Sequence, residues 1–225
     1  MEKMPYRAEL DLIPVPTVSG LAPATTVLTS SDWRQGLPTL NGQQVVMREL
    51  KATDAPSLFA LLTTEEVSRF ISPPPTTVEG FERFIAWAQR QRAAGSYACF
   101  AVTLRGFDTA IGIFQIRDQG RGFESAEWGF AIGSPFWGTG VFVDAAKQVI
   151  AFAFETLGVR RLEARAAVLN GRGNAALRKL GAVAECVLRK SFQHRGGYLD
   201  QMLYAILDVD WHGSRRGKPT RPVVH

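Results

Sequence analysis

Gly138 and Gly140 lie in the run Pro135-Phe136-Trp137-Gly138-Thr139-Gly140, directly ahead of a long segment with helical apolar spacing. Two glycines so placed let the backbone approach a ligand closely, and free N–H groups at a helix start favour an anion. The chemistry they point to is binding of a phosphate or pyrophosphate. The pattern stops short of two better-defined ones. Val143 stands where the dinucleotide fingerprint has its third glycine, and the Gly-Lys-Ser/Thr of the Walker loop is absent. A plain strand-to-helix turn would use the same residues. The second chemical group is Glu127, a lone carboxylate in an apolar run beside Trp128 and Phe130. Partial burial suits a carboxylate to collecting a proton, here through water. A strand-surface glutamate, solvated or paired with an arginine, is the competing reading. His194 has no partner at metal-ligand spacing and reads as a solvated loop histidine, so no metal is expected.

These groups need elements to hold them. Residues 1–38 are rich in Pro, Thr and Ser without periodicity, and read as an irregular extension, either draped on the domain or partly mobile. The folded unit is 39–212, and 213–225 reads as a disordered basic tail. Gln44 to Leu50 alternates like a strand, and Asp54 is placed to cap a helix bearing Leu58, Leu61 and Leu62. Thr64 to Phe70 follows as a short turn. After the break at Ser72-Pro73-Pro74-Pro75, Thr77 starts a helix with Val78, Phe81, Phe84, Ile85 and Ala88 on one face. Tyr97 to Leu104, Thr109 to Arg117 and Glu124 to Ile132 read as an antiparallel meander with glycine turns.

A long helix follows with Phe142, Ala145, Ala146, Val149, Ile150, Phe152 and Ala153 inward, ended by Gly158. Arg161 to Val168 is a strand, Arg172 to Leu180 a short helix, and Val183 to Phe192 and Tyr198 to Leu207 the last strands. The order β-α-α-β-β-β-α-β-α-β-β defines an α/β (α+β) chain. Its sheet is mixed and mostly antiparallel, with about seven strands and a central β-α-β crossover that makes one parallel pair.

Composition narrows the function. With 225 residues and 46% hydrophobic content, the chain can bury a core without disulfides or metal. Cys99 and Cys186, both in apolar runs, exclude a disulfide framework and a cysteine-rich zinc site and fit a reducing cytoplasm. No apolar run approaches ~20 residues, so no membrane span is expected. The N-terminus carries acids and prolines where a signal peptide would need an unbroken apolar stretch. Four of the net +5 charges (Arg215, Arg216, Lys218 and Arg221) sit in the tail. The near-neutral body argues against nucleic acid as the partner.

Taken together, Val46-Met47-Arg48-Glu49-Leu50, Ala126-Glu127-Trp128-Gly129-Phe130, Phe136 to Gly140, and Asn170-Gly171-Arg172-Gly173-Asn174 leading to Ala182 form an ordered set. Glu185 to Arg189 and Asp200 to Trp211 complete it. In this set the chain resembles the GNAT superfamily of acyl-CoA-dependent N-acyltransferases, from about Leu40 to Trp211. It looks most like the branch related to RimJ and RimL, which acetylate ribosomal-protein N-termini.

The resemblance implies a GNAT fold with acetyl-CoA as co-substrate. The strand through Phe130, Ala131 and Ile132 would splay from the next one and offer backbone groups to the pantetheine arm. Trp137 leads into Gly138, Thr139, Gly140, Val141 and Phe142, whose amides would hold the pyrophosphate. Asn170 would hydrogen-bond the arm near the thioester, with Asn174 as a further donor, and Glu127 would be the base. Phe142 replaces the usual Gly or Ala, Leu177 the usual tyrosine, and Gly173 the serine of the RimL-like pattern. The expected catalytic acid is therefore missing, and either water protonates the thiolate or activity is low.

At pH 7 a lysine amine costs about 4.6 kcal/mol to neutralise and an α-amine only about 1.1, so a site with few bases favours an α-amine. The expected activity is acetyl transfer by direct attack, preferably to a protein N-terminal α-amine. A small-molecule amine (antibiotic, polyamine or amino acid) is the alternative acceptor, and a non-catalytic acyl-CoA-binding module the alternative class. A homodimer is left open.

Overall fold

The computed structural model describes residues 32–120, 122–194 and 196–215. Most of the N-terminal extension, and the tail beyond 215, lie outside them. Fourteen elements follow in order: β1 (Leu40–Asn41), β2 (Val45–Glu49), α1 (Ala55–Leu62), α2 (Glu65–Ser68), α3 (Val78–Ala93), β3 (Tyr97–Leu104), β4 (Ala110–Asp118), β5 (Ser125–Ile132), α4 (Val141–Glu155), β6 (Arg161–Ala167), α5 (Gly171–Lys179), β7 (Val183–His194), β8 (Gly197–Leu207) and α6 (Asp208–Arg215). The strands form one eight-stranded sheet, ordered β1-β2-β3-β4-β5-β6-β8-β7. Every adjacent pair is antiparallel except β5 and β6, the two joined through α4.

The eighth strand is the two-residue β1, too short to show as alternation in the sequence; it pairs with Val46 and Met47. α6 was not anticipated either. It begins at Asp208 and Asp210, acids favourable at a helix N-terminus, and carries Gly213 within it. The expected boundary at 212 therefore falls inside a helix, whose Trp211 ring lies 6.3 Å from Phe154.

β3 is almost entirely buried because both faces of the sheet are covered. Odd-numbered residues face α3, where Trp87 packs on Tyr97 at 5.0 Å between ring centroids. Even-numbered residues face α4, where Phe152 meets Phe100 edge-on, also at 5.0 Å. α3 begins where expected: the Thr77 hydroxyl accepts the Gly80 N–H at 3.0 Å. Asp54 does not cap α1. Its carboxylate turns back to the Lys51 N–H at 2.8 Å and takes both terminal nitrogens of Arg48, at 2.7 and 2.8 Å. It thus closes the 3-10 turn Ala52–Asp54 instead. The described end of the extension does lie on the domain: Trp33 is buried against Phe123, and Arg92 binds Glu49 and the Arg34 carbonyl.

Candidate active site

The centre of the sheet is only partly joined. β5 pairs with β6 at Ser125–Arg161, Ala126–Leu162 and Glu127–Glu163, and nowhere beyond. From Trp128 to Ile132, β5 keeps its ladder to β4 but has no β6 partner, so the strands form a fork. The Ile132 carbonyl accepts the Trp137 indole N–H at 2.8 Å, which ties the turn after β5 back to the strand end. Trp137 thus has a structural hydrogen bond that the sequence did not reveal.

That turn leads into α4. Gly138 has φ +79° and Gly140 φ +92°, left-handed conformations that strain any residue with a Cβ. Turning the chain this way leaves the amides of Gly138, Thr139, Gly140, Val141, Phe142 and Val143 donating no hydrogen bond to any described residue. A row of free donors at the start of a fifteen-residue helix is the arrangement that suits an anion.

Phe142 does not plug it. Its ring lies on the sheet, 4.5 Å from Phe130 and 5.8 Å from Phe114 between centroids, and forms a wall of a cleft of about 170 Å³ between α4 and α5. Asp144, one turn into α4, accepts the amides of Gln43, Gln44 and Val45 at 3.0, 2.7 and 3.2 Å. This lock sets the exposed Gln44 beside the glycine turn: a Cβ on Gly140 would lie 3.0 Å from its Nε2.

At the open end of the fork, Asn170 caps α5. Its Oδ1 accepts the Gly173 N–H at 2.9 Å, while its buried Nδ2 has no partner among the described residues. Asn170 also lines a second cavity, of about 550 Å³. An unsatisfied buried donor costs stability unless a ligand meets it, so this amide suits the carbonyl of a bound arm. Asn174 is different, and its expected cofactor contact is corrected here. Its Nδ2 is spent on the carbonyls of Ala167 and Asn170, at 2.9 and 2.7 Å, and its Oδ1 accepts the Tyr204 hydroxyl at 3.0 Å. Asn174 is scaffold. Tyr204 comes from β8 and also accepts from Arg178 at 3.1 Å; no local sequence signal ties it to α5. A Cβ at Gly173 would meet Asn170 Nδ2 at 2.5 Å, so the capping amide fills the space a serine side chain would need.

Glu127 is buried on the last rung before the fork. Its Oε2 accepts Arg117 Nη2 at 2.9 Å, the arginine-paired arrangement, and its Oε1 has no partner among the described residues. Tyr97, Arg117 and Glu127 are neighbours across β3, β4 and β5 and share the α3 face. Beside them the Tyr97 hydroxyl bonds Gln115. Burial pushes the Tyr97 phenol well above its usual range, and pushes the Cys99 thiol up to about 12. Neither group titrates near neutrality; the carboxylates on the last rung before the fork are Glu127 and its register partner Glu163, and Glu163 is engaged by Arg161 and Gln119.

Other polar side chains of the last strands serve the fold. Glu163 pairs with Arg161 at 2.7 Å, while Asp200 accepts the Lys190 N–H at a bulge in β7 and forms no ion pair among the described residues. His194 stacks on Phe192 at 5.6 Å. Among the described residues no three His, Cys, Asp or Glu side chains gather as a metal site, and no helix is long and apolar enough to cross a membrane.

Comparisons with known proteins agree with this geometry. Residues 44–183 match the family model described as the acetyltransferase (GNAT) domain. An N-acetyltransferase of Bacillus licheniformis named p20 is 25% identical over 180 residues, covering 79% of this chain and all of that protein. YdaF of Bacillus subtilis (strain 168), by name a ribosomal N-acetyltransferase, is 24% identical over 178 residues, covering 77% of this chain and 96% of that one. Among solved structures, Mycobacterium smegmatis RimJ in complex with CoA-disulfide shares the fold at a TM-score of 0.71 and 18% identity, covering 83% and 97% of the two chains.

Proposed function

The chain belongs to the GNAT acetyltransferase family, and from that premise we propose that it moves the acetyl group of acetyl-CoA to an α-amine, preferably a protein N-terminus, by direct attack in the cytoplasm. The observation that carries the donor assignment is the row of six free amides at the start of α4, set at the open end of the β5–β6 fork. Those amides would take the diphosphate, and Asn170 Nδ2 a carbonyl of the arm.

The chemistry asked of the side chains is small. The amine nitrogen forms a bond to the thioester carbon, the carbon–sulfur bond breaks, and the sulfur leaves as thiolate. Glu127 Oε1 receives the amine proton through water. No tyrosine or serine stands in the expected acid positions, Leu177 and Gly173, so water protonates the thiolate. One carboxylate tied to Arg117 is weak machinery for a lysine amine and adequate for an α-amine, whose neutral form at pH 7 costs only about 1.1 kcal/mol.

Heating the protein with acetyl-CoA at about 100 times its Kd should stabilise it by about 2.7 kcal/mol, a rise of about 5–11 °C for a chain of this size. Free-thiol release is then measured against N-terminal peptides, lysine side-chain amines and small amines. Transfer to lysine amines at equal or greater efficiency would overturn the α-amine preference. Absence of any acetyl-CoA shift would remove the donor assignment.

A further inference from the structure

The larger cavity opens between α2, the turn leading into α4, and the start of α5, and its charged lining is Glu66, Arg69 and Arg172. The Arg172 guanidinium lies over the Trp137 ring at 4.0 Å, and that of Arg69 over the Phe70 ring at 5.2 Å. Four arginines of the sheet and of α3 are paired with carboxylates, Arg48 with Asp54, Arg92 with Glu49, Arg117 with Glu127 and Arg161 with Glu185. Arg69 and Arg172 have no such partner among the described residues, although Glu66 lines the same cavity. A guanidinium carried over an aromatic ring keeps a planar fork of N–H donors that can grip a carboxylate with two hydrogen bonds.

We infer that the acceptor carries an anionic group, a carboxylate above all, close to the amine it offers. This rests on the acetyl-transfer reading and names the acceptor class within it. The two guanidiniums take the carboxylate, and Glu66 supplies the counter-charge for the arriving ammonium. A polyamine or an aminoglycoside would bring further positive charge against two unpaired cations. The chemistry has two sources, an N-terminal peptide with an acidic residue beside its α-amine or a free acidic amino acid. Arg172 also faces the smaller cleft, so Arg69 is the residue whose removal tests the charge alone.

The test measures thiol release from acetyl-CoA by the full chain with Ser-Glu-Ala-amide, Ser-Gln-Ala-amide, Ser-Lys-Ala-amide, free glutamate and spermidine. The expected order in kcat/KM is Glu above Gln above Lys peptide, set mainly by KM. Arg69→Gln should lower the Glu-peptide value about fivefold, the ratio given by an ion pair of roughly 1 kcal/mol, and leave the Gln-peptide value unchanged. Arg69→Lys should restore part of the loss. Free glutamate outperforming the Glu peptide assigns the small-molecule source, and the reverse assigns the peptide. Preference for spermidine or the Lys peptide, or a Glu preference unmoved in Arg69→Gln, overturns the inference while transfer itself stands. No thiol release with any acceptor, together with no acetyl-CoA shift on heating, overturns the transfer reading and this inference together.

Discussion

Asn170 carries two separable duties on the two ends of one amide. Its oxygen caps α5 and its nitrogen is free for a ligand, so two substitutions divide them. Asn170→Asp keeps an oxygen for the Gly173 N–H and should hold its melting temperature while raising KM for acetyl-CoA. Asn170→Ala loses the cap as well, about 1 kcal/mol of stability. Equal KM in Asn170→Asp and the parent chain would sink the ligand role. Glu127→Gln should lower kcat/KM by about 10²-fold at pH 7, the low end for general base catalysis. That deficit should shrink toward pH 9, where an α-amine arrives already neutral; a pH-independent deficit would argue that Glu127 positions rather than accepts protons. At this scale the sequence pointed to Glu127 and Asn170, whose roles remain proposals, and expected of Asn174 a donor that its neighbours occupy. A residue type and a spacing identify an amide near a site, not which neighbours have already claimed it.

The lock between the β1–β2 turn and α4 is the element-scale device that orients the anion site. Asp144→Ala would release three amides from one carboxylate, a loss of roughly 2–3 kcal/mol, or about 4–12 °C in melting temperature. The same change should weaken acetyl-CoA binding measured by calorimetry, because Gln44 and the glycine turn are held in one piece by it. A destabilised variant with unchanged affinity would show the lock to be structural only. The glycine turn and the long α4 were legible in the sequence, because glycine spacing and apolar periodicity are local signals; the fork was expected only from the family resemblance. The lock was not: Asp144 and Gln44 are one hundred residues apart, and only the sheet order brings them together. α6 escaped for another reason, since Gly213 and the basic residues after it read as a disordered tail.

For the whole molecule, the far side of the sheet is held by Arg161 on β6, which pairs with Glu163 beside it and reaches Glu185 on β7, one strand past β8. The Arg161 hydrogen bond holds the Glu185 carboxyl below its usual value of 4.5. Burial works against ionisation of Glu163, but Gln119 and Arg161 outweigh it, and its carboxyl is lowered from 4.5 as well. Groups lowered in this way stabilise the fold above about pH 4.5, and their contribution disappears as pH falls through the lowered values. Arg161→Met should therefore flatten the acid side of the stability profile between pH 5 and pH 3, followed by denaturant midpoints; a profile parallel to the parent chain's would remove the pair from the account.

The fork has a mechanical consequence. Three rungs, with two hydrogen bonds to the Glu124 carbonyl ahead of them, stitch a five-strand plate to a three-strand plate, so the middle of this sheet is the thinnest join between its longer strands. A molecule lying along the gap would act as a splint across both plates. Amide hydrogen exchange of residues 125–132 and 161–167 should then slow together on adding coenzyme A, while the β2–β3 ladder, remote from the seam, keeps its rate.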